Sequence, residues 1–188
     1  CSCVGIESRL SFRQDGSGVL TLSYKVSQFM KNIDAGRSQK SLPLPVSRED
    51  FQRATFGIAG LRLTSIEERQ NEEHVFIEAA VAFDSLAALN EFSRRGAMGL
   101  TVSRQGEGFV CRQEINAARA PGEISADSLE MVRTFFGDYE LVYSVSAPAS
   151  IRSHSLGELG ENGRVVTYRV SIPEILASTA GQVLEVAW

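Results

Sequence analysis

The chain is poor in most residues that make a reactive site. Its 188 residues hold two histidines, three cysteines and one tryptophan. It has no run of about 18 apolar residues, the length a helical membrane span requires. Basic residues do not outnumber acidic ones: 19 Lys and Arg against 23 Asp and Glu give a formal charge of −4. That balance excludes the global positive field of a nucleic-acid binder. What remains is ordinary: 43% hydrophobic and 22% charged residues, close to the globular mean and far from disordered composition. A chain of this length buries about two-thirds of its surface, so neither disulfides nor metals are needed to fold it.

The opening stretch, Cys1-Ser2-Cys3, carries no initiator Met and runs directly into alternating sequence. Ile6, Leu10 and Phe12 share one parity, Asp15-Gly16-Ser17-Gly18 supplies a turn, and Leu20, Leu22, Tyr24 and Val26 resume the period of two. This predicts a β-hairpin. A cysteine so close to folded structure is expected to be the acylated residue of a bacterial lipoprotein whose signal peptide has been removed. The competing reading of Cys1 is a sequence boundary that falls there by chance. Cys111 sits on a strand face with Phe109 and Ile115, where a free thiol behaves as a small hydrophobe. A Cys3–Cys111 bridge in an oxidising envelope is the other reading.

A polar connector, Ser27 to Val46, carries Lys31, Arg37 and Lys40 and ends Leu42-Pro43-Leu44-Pro45. Its cations are either solvated or in contact with anionic lipid head groups. Ser47 is expected to cap a helix bearing Phe51, Ala54 and Ile58, and Asp84 a second bearing Leu86, Leu89 and Phe92. Arg94 and Arg95 complement the end of the second. Ser125 caps a third, with Leu129, Val132 and Phe136 as its stripe. Strands are expected around Val75–Phe83, Leu100, Phe109–Ile115, Tyr139–Val145, Val166–Ile172 and Leu184–Trp188, with a glycine-rich excursion from Pro148 to Gly163. The order strand, strand, helix recurs without any repeat of residues. It predicts an α+β fold: an antiparallel sheet built from hairpins, with amphipathic helices packed on one face. Residues 1–5 are expected to form a tether and 6–188 a single domain.

Candidates for chemistry are few. His74, in Glu72-Glu73-His74, lacks a second ligand cluster and reads as a solvated turn. His154 lies among serines without a Gly-x-Ser-x-Gly elbow. Gly157, Gly160 and Gly163 alternate with Glu158 and Glu161, which repel phosphate, so this is a hairpin loop and no anion cradle. Neither a catalytic residue, a metal site nor a cofactor is expected. The apolar side chains Phe92, Met131, Phe135, Phe136 and Tyr143 are the candidate lining of a pocket between helices and sheet, with core packing as the alternative use.

The chain resembles the LppM-like domain family of bacterial envelope lipoproteins. The residues that carry the likeness are the N-terminal cysteine, the Asp15-Gly16-Ser17-Gly18 hairpin, the helix leading through Phe135-Phe136-Gly137-Asp138-Tyr139, Ser146-Ala147-Pro148, Asn162-Gly163-Arg164-Val165-Val166-Thr167-Tyr168, and the strand closing on Trp188. The resemblance implies an exported, lipid-anchored domain facing the periplasm or exterior, with a lipid or glycolipid as ligand. It also implies a transmembrane helix after the final strand in many members. Only Cys1 transfers as a site, the acylation point. The expectation is therefore a non-enzymatic lipoprotein that binds an amphiphile. An interaction module for an envelope protein partner, and a hydrolase assembled from residues distant in sequence, are the alternatives.

Overall fold

The computed structural model describes residues 3–27, 47–96, 98–120 and 122–188. In chain order the elements are β1 (Cys3–Phe12), β2 (Gly18–Ser27), α1 (Arg48–Thr55), β3 (Leu61–Gln70), β4 (His74–Phe83), α2 (Leu86–Arg95), β5 (Leu100–Gln105), β6 (Gly108–Asn116), α3 (Ala126–Phe136), β7 (Tyr139–Ser146), β8 (Ser153–His154), β9 (Glu158–Leu159), β10 (Val165–Ser171), α4 (Ile172–Ala177) and β11 (Gln182–Ala187). Pairing begins at Cys3, so residues 3–5, expected in a tether, belong to the sheet. The connector from 28 to 46, with Lys31, Arg37 and Lys40, lies outside the described residues.

The α+β mixture is as expected, but there are two sheets. Seven strands run in the order β3-β4-β2-β1-β7-β10-β9 and four in the order β5-β6-β11-β8. β1 and β7 pair in parallel, with a register shift between Val4 and Ile6, which corrects the expected all-antiparallel sheet. Gly5 sits at that shift, where a Cβ would lie 3.0 Å from the Tyr139 ring. The hairpins β1–β2 and β3–β4 stay in the large sheet while β5–β6 starts the small one, so strand-strand-helix is not the unit of architecture.

Alternation decides what the sheets bury. Along β4, Val75, Ile77, Ala79, Val81 and Phe83 are buried, and Leu10, Phe12, Leu20, Leu22 and Tyr24 face the same core. The covering layer is partly helical: Phe51 of α1 stacks on Tyr24 at 6.4 Å, and Leu89 and Phe92 of α2 are buried. The rest of the cover is the small sheet, whose Leu100, Val102, Cys111, Leu184 and Val186 join the same cluster. Trp188 closes the seam, 4.8 Å from Phe12 and 5.9 Å from Phe109. The expectation of helices alone on that face is thus corrected. Two apolar sheet faces in one chain bury more against each other than against four short helices.

Ser47, Ser125 and Ser171 accept hydrogen bonds at the starts of α1, α3 and α4. For α2 the cap is Ser85, one residue after the expected Asp84; Asp84 instead accepts from Arg62 at 3.1 Å. The excursion 148–163 is ordered into both sheets: β8 pairs with β11 and β9 with β10. Gly157 turns between them at φ +82°, its Cα so close to the Thr167 carbonyl that a Cβ would lie 2.6 Å from it.

The free edge of β5 is capped by α2. Asn90 Nδ2 donates to the Val102 carbonyl and Asn90 Oδ1 accepts from the Val102 amide, both at 2.8 Å. Ser93 Oγ accepts from the Leu100 amide at 3.0 Å. One amide side chain thus imitates a neighbouring strand. Asn90→Ala should lower the urea midpoint by the equivalent of about 1–3 kcal/mol with an unchanged m value, since it orphans a partly buried donor and acceptor. Asn90→Asp, which keeps only the acceptor, should fall at least as far.

At the end of α2, Arg94 and then Arg95 hydrogen-bond Glu91 and hold its carboxyl down at about 2, from 4.5. Arg95 also donates to the Phe56 carbonyl at 2.8 Å, tying α2 to the segment after α1. A carboxyl depressed by folding contributes stability above its unfolded value and loses it as pH falls through the folded one. Thermal melts of Glu91→Gln should therefore lose less stability than the parent between pH 4.5 and about 2.

Candidate functional site

An open groove of about 720 Å³ lies on the outer face of the large sheet. It is built by the parity opposite to the core. Ser23 and Lys25 of β2 point away from Leu22 and Tyr24, and Phe76 and Glu78 of β4 away from Val75 and Ile77. Glu7 of β1, Glu67 and Arg69 of β3, and Gln70 and Asn71 at the following turn complete the wall. Phe76 is 40% exposed, an aromatic ring at a solvent-side position.

Its charges are mostly self-paired. Arg9 grips Glu7 with two bonds of 2.7 and 2.8 Å, Arg69 donates to Glu67 at 2.6 Å, and Ser23 donates to Glu78 at 3.4 Å. Those carboxylates raise the Arg9 and Arg69 guanidiniums above their usual range. Lys25 differs: its Nζ stands 5.2 Å over the Tyr139 ring, and among the described residues no carboxylate is within 4.0 Å of it. A cation over a ring face gains about 0.5–1 kcal/mol at an exposed site.

The groove ends in a chain of rings. His74 lies 6.1 Å from Phe76 and 6.5 Å from Tyr139, and Phe136 meets Tyr139 edge-on at 5.8 Å. His74 Nε2 is 2.9 Å from the Tyr139 hydroxyl and its Nδ1 3.7 Å from Glu73. With the proton on Nδ1, the phenol donates to Nε2. His74 is therefore no solvated turn residue; it links β4 to β7.

The five residues expected to line a pocket do not come together. Phe92 is 1% exposed in the core beneath α2. Tyr143 faces a void of about 10 Å³ between the sheets, beside Leu10 and Leu184, and burial pushes its hydroxyl up. Phe136 lies on Tyr139, Met131 is 62% exposed, and the Phe135 side chain is outside the described set. α3 buries none of its described side chains, which is why its apolar stripe builds no cavity wall. Sequence reasoning missed Lys25, Phe76 and Tyr139. The available signal was an aromatic at the polar parity of β4.

The other candidates are structural. Ser155 Oγ donates to the Val183 carbonyl and accepts from the Glu185 amide, completing the β11 edge, while His154 Nδ1 lies 3.2 Å from the Leu156 carbonyl. Cys111 is a free thiol, 1% exposed, pushed up to about 12 by burial. The Cys3–Cys111 bridge is thus not formed. A second cleft of about 600 Å³ brings Arg94 and Arg112 together, but Glu91 holds the first and Glu185, at 3.5 Å, the second. Among the described residues no group of three or more His, Cys, Asp or Glu converges as for a metal ion, and no helix is long and apolar enough to cross a membrane.

No protein-family model matches the sequence, and no curated protein matches it. Among solved structures it is similar to the folded domain of the Mycobacterium tuberculosis LppM protein, determined by NMR. The TM-score is 0.53 at 12% identity, over 98% of this chain and 88% of that one. The LppM-like fold expected from the sequence is supported at the level of architecture.

Tyr139→Phe should cost about 0.5–1.5 kcal/mol by removing the His74 bond, while retaining the ring under Lys25. Tyr139→Leu, which removes both, should cost more in the same denaturant titration.

Proposed function

We propose that the chain is the folded part of an envelope lipoprotein, acylated at Cys1, which binds an amphiphile by its headgroup in the outer-face groove. The observation that carries this reading is a contrast in room. The groove offers about 720 Å³ with Lys25 and Phe76 on its wall, whereas the described void between the sheets holds about 10 Å³. Nothing the size of an acyl chain fits the latter. The ligand therefore moves from the helix–sheet interior to the opposite side of the sheet, and its acyl chains stay in the bilayer.

The groove suits a polar headgroup. Lys25 offers donors to an anionic oxygen, Glu78, Gln70 and Asn71 lie along the same wall, and Phe76 gives an apolar platform for a ring or glycerol backbone. Anchoring sets the address. One acyl chain binds a membrane marginally and two hold it stably, so Cys1 governs location whatever the groove holds. The LppM-like architecture fits this assignment. The proposed role is binding and presentation, with no bond made or broken.

The test is native mass spectrometry and solvent extraction of the protein taken from its own envelope. An amphiphile should co-purify with the parent. Lys25→Ala and Phe76→Ser, both at solvent-side positions, should each retain it about tenfold less, the equivalent of about 1.4 kcal/mol, with unchanged circular dichroism. Parent protein without any amphiphile, or variants that hold it equally well, would overturn the headgroup site. An unmodified Cys1 in the cell would overturn the anchor.

A further inference from the structure

We infer that the end of the large sheet carrying Phe76, His74, Tyr139 and Phe136 is the surface that rests on the bilayer, and that its partner is a zwitterionic membrane interface. The inference rests on the lipoprotein reading above and adds an orientation to it. Cys3 is paired with Tyr139, and two residues of chain reach at most about 7 Å. An acylated Cys1 therefore keeps Tyr139 next to the membrane. His74 belongs to the same end, paired with Ser27 at the close of β2 and bonded to Tyr139 at 2.9 Å.

The chemistry of that end matches an interface. Four rings follow one another with centroids 5.8 to 6.5 Å apart, from Phe76 through His74 and Tyr139 to Phe136. The Lys25 ammonium lies against the third. Aromatic residues with polar tips concentrate where hydrocarbon gives way to headgroups. Among the described residues, Glu72 and Glu73, both exposed in the adjoining turn, oppose Lys25 and disfavour an anionic surface. For these described residues contact is by rings, and charge does not drive it. The opposite end, with the β1–β2 turn at 13–17, stands about 30 Å away along ten-residue strands, and the exposed Phe56 lies on the covering-layer side of the sheet, where its carbonyl meets Arg95 of α2. Phe76 and Lys25 belong to the groove as well, so the groove opens at the bilayer and a headgroup enters it without leaving the membrane.

The experiment separates orientation from natural acylation. In the full chain carrying Cys3→Ser, Cys1 is coupled to a maleimide lipid in phosphatidylcholine vesicles; buried Cys111 does not compete. With Trp188→Phe as background, a Phe76→Trp reporter should lose most of its emission to brominated phosphatidylcholine, and a Phe56→Trp reporter should keep its own. Hydrogen exchange on the coupled chain that retains every aromatic residue should slow at 71–76 and 136–140 and stay unchanged at 13–17. Equal quenching at both reporters, quenching at 56 alone, or no protection at 71–76 would overturn the orientation. An unmodified native Cys1 would sink the lipoprotein reading and leave the vesicle result standing by itself.

Discussion

The parallel pairing of β1 with β7 is the joint on which the molecule depends. On one side lie two antiparallel hairpins, β1–β2 and β3–β4, joined through the β2–β4 pairing; on the other lie strands from about the last quarter of the chain. Only the register of Cys3–Ser11 against Tyr139–Ser146 makes them one sheet. That register must pass the shift at Gly5, where a Cβ would lie 3.0 Å from the Tyr139 ring and the ring would have to give way to any side chain. The same approach brings Tyr139 to His74 and Lys25. The groove's end and the sheet's continuity therefore have one cause.

Both sheets leave strand edges, and side chains close them. Asn90 and Ser93 occupy the edge of β5, and Ser155 that of β11. Arg48 of α1 donates to the Ile66 carbonyl at 3.3 Å. An open ladder invites pairing with other chains. Here each closure uses one or two polar atoms from a neighbouring element, and the sheets gain no further strand.

Much of the fold was legible because burial on one side of a strand enforces a period of two. The inward residues of β1, β2, β4 and β6 were readable for that reason, as were Ser47 and Ser125 as helix caps. The second sheet was not legible, because alternation says that a face is covered but not by what. The parallel joint was hidden too: Cys3 and Tyr139 are far apart in the chain, and no local pattern announces their pairing. The site failed for a related cause. Phe92, Tyr143 and Met131 were grouped by apolarity alone, while the structure sends the first two into solid packing and leaves the third in solvent. Lys25, His74 and Phe76 share one outward parity across adjacent strands, a relation visible only once the β2–β4 register is known.

The glycine-rich segment 148–163 has a mechanical consequence. It places β8 in the small sheet and β9 in the large one, with three residues, Ser155 to Gly157, between them. So short a link spans roughly 10 Å, about the separation of two packed sheets. It acts as a strut across the sandwich. Sliding one layer past the other would tear β8 from β11 or β9 from β10 before any side chain in between could repack. Shear is blocked at this end of the molecule, and the two layers are bound to yield together.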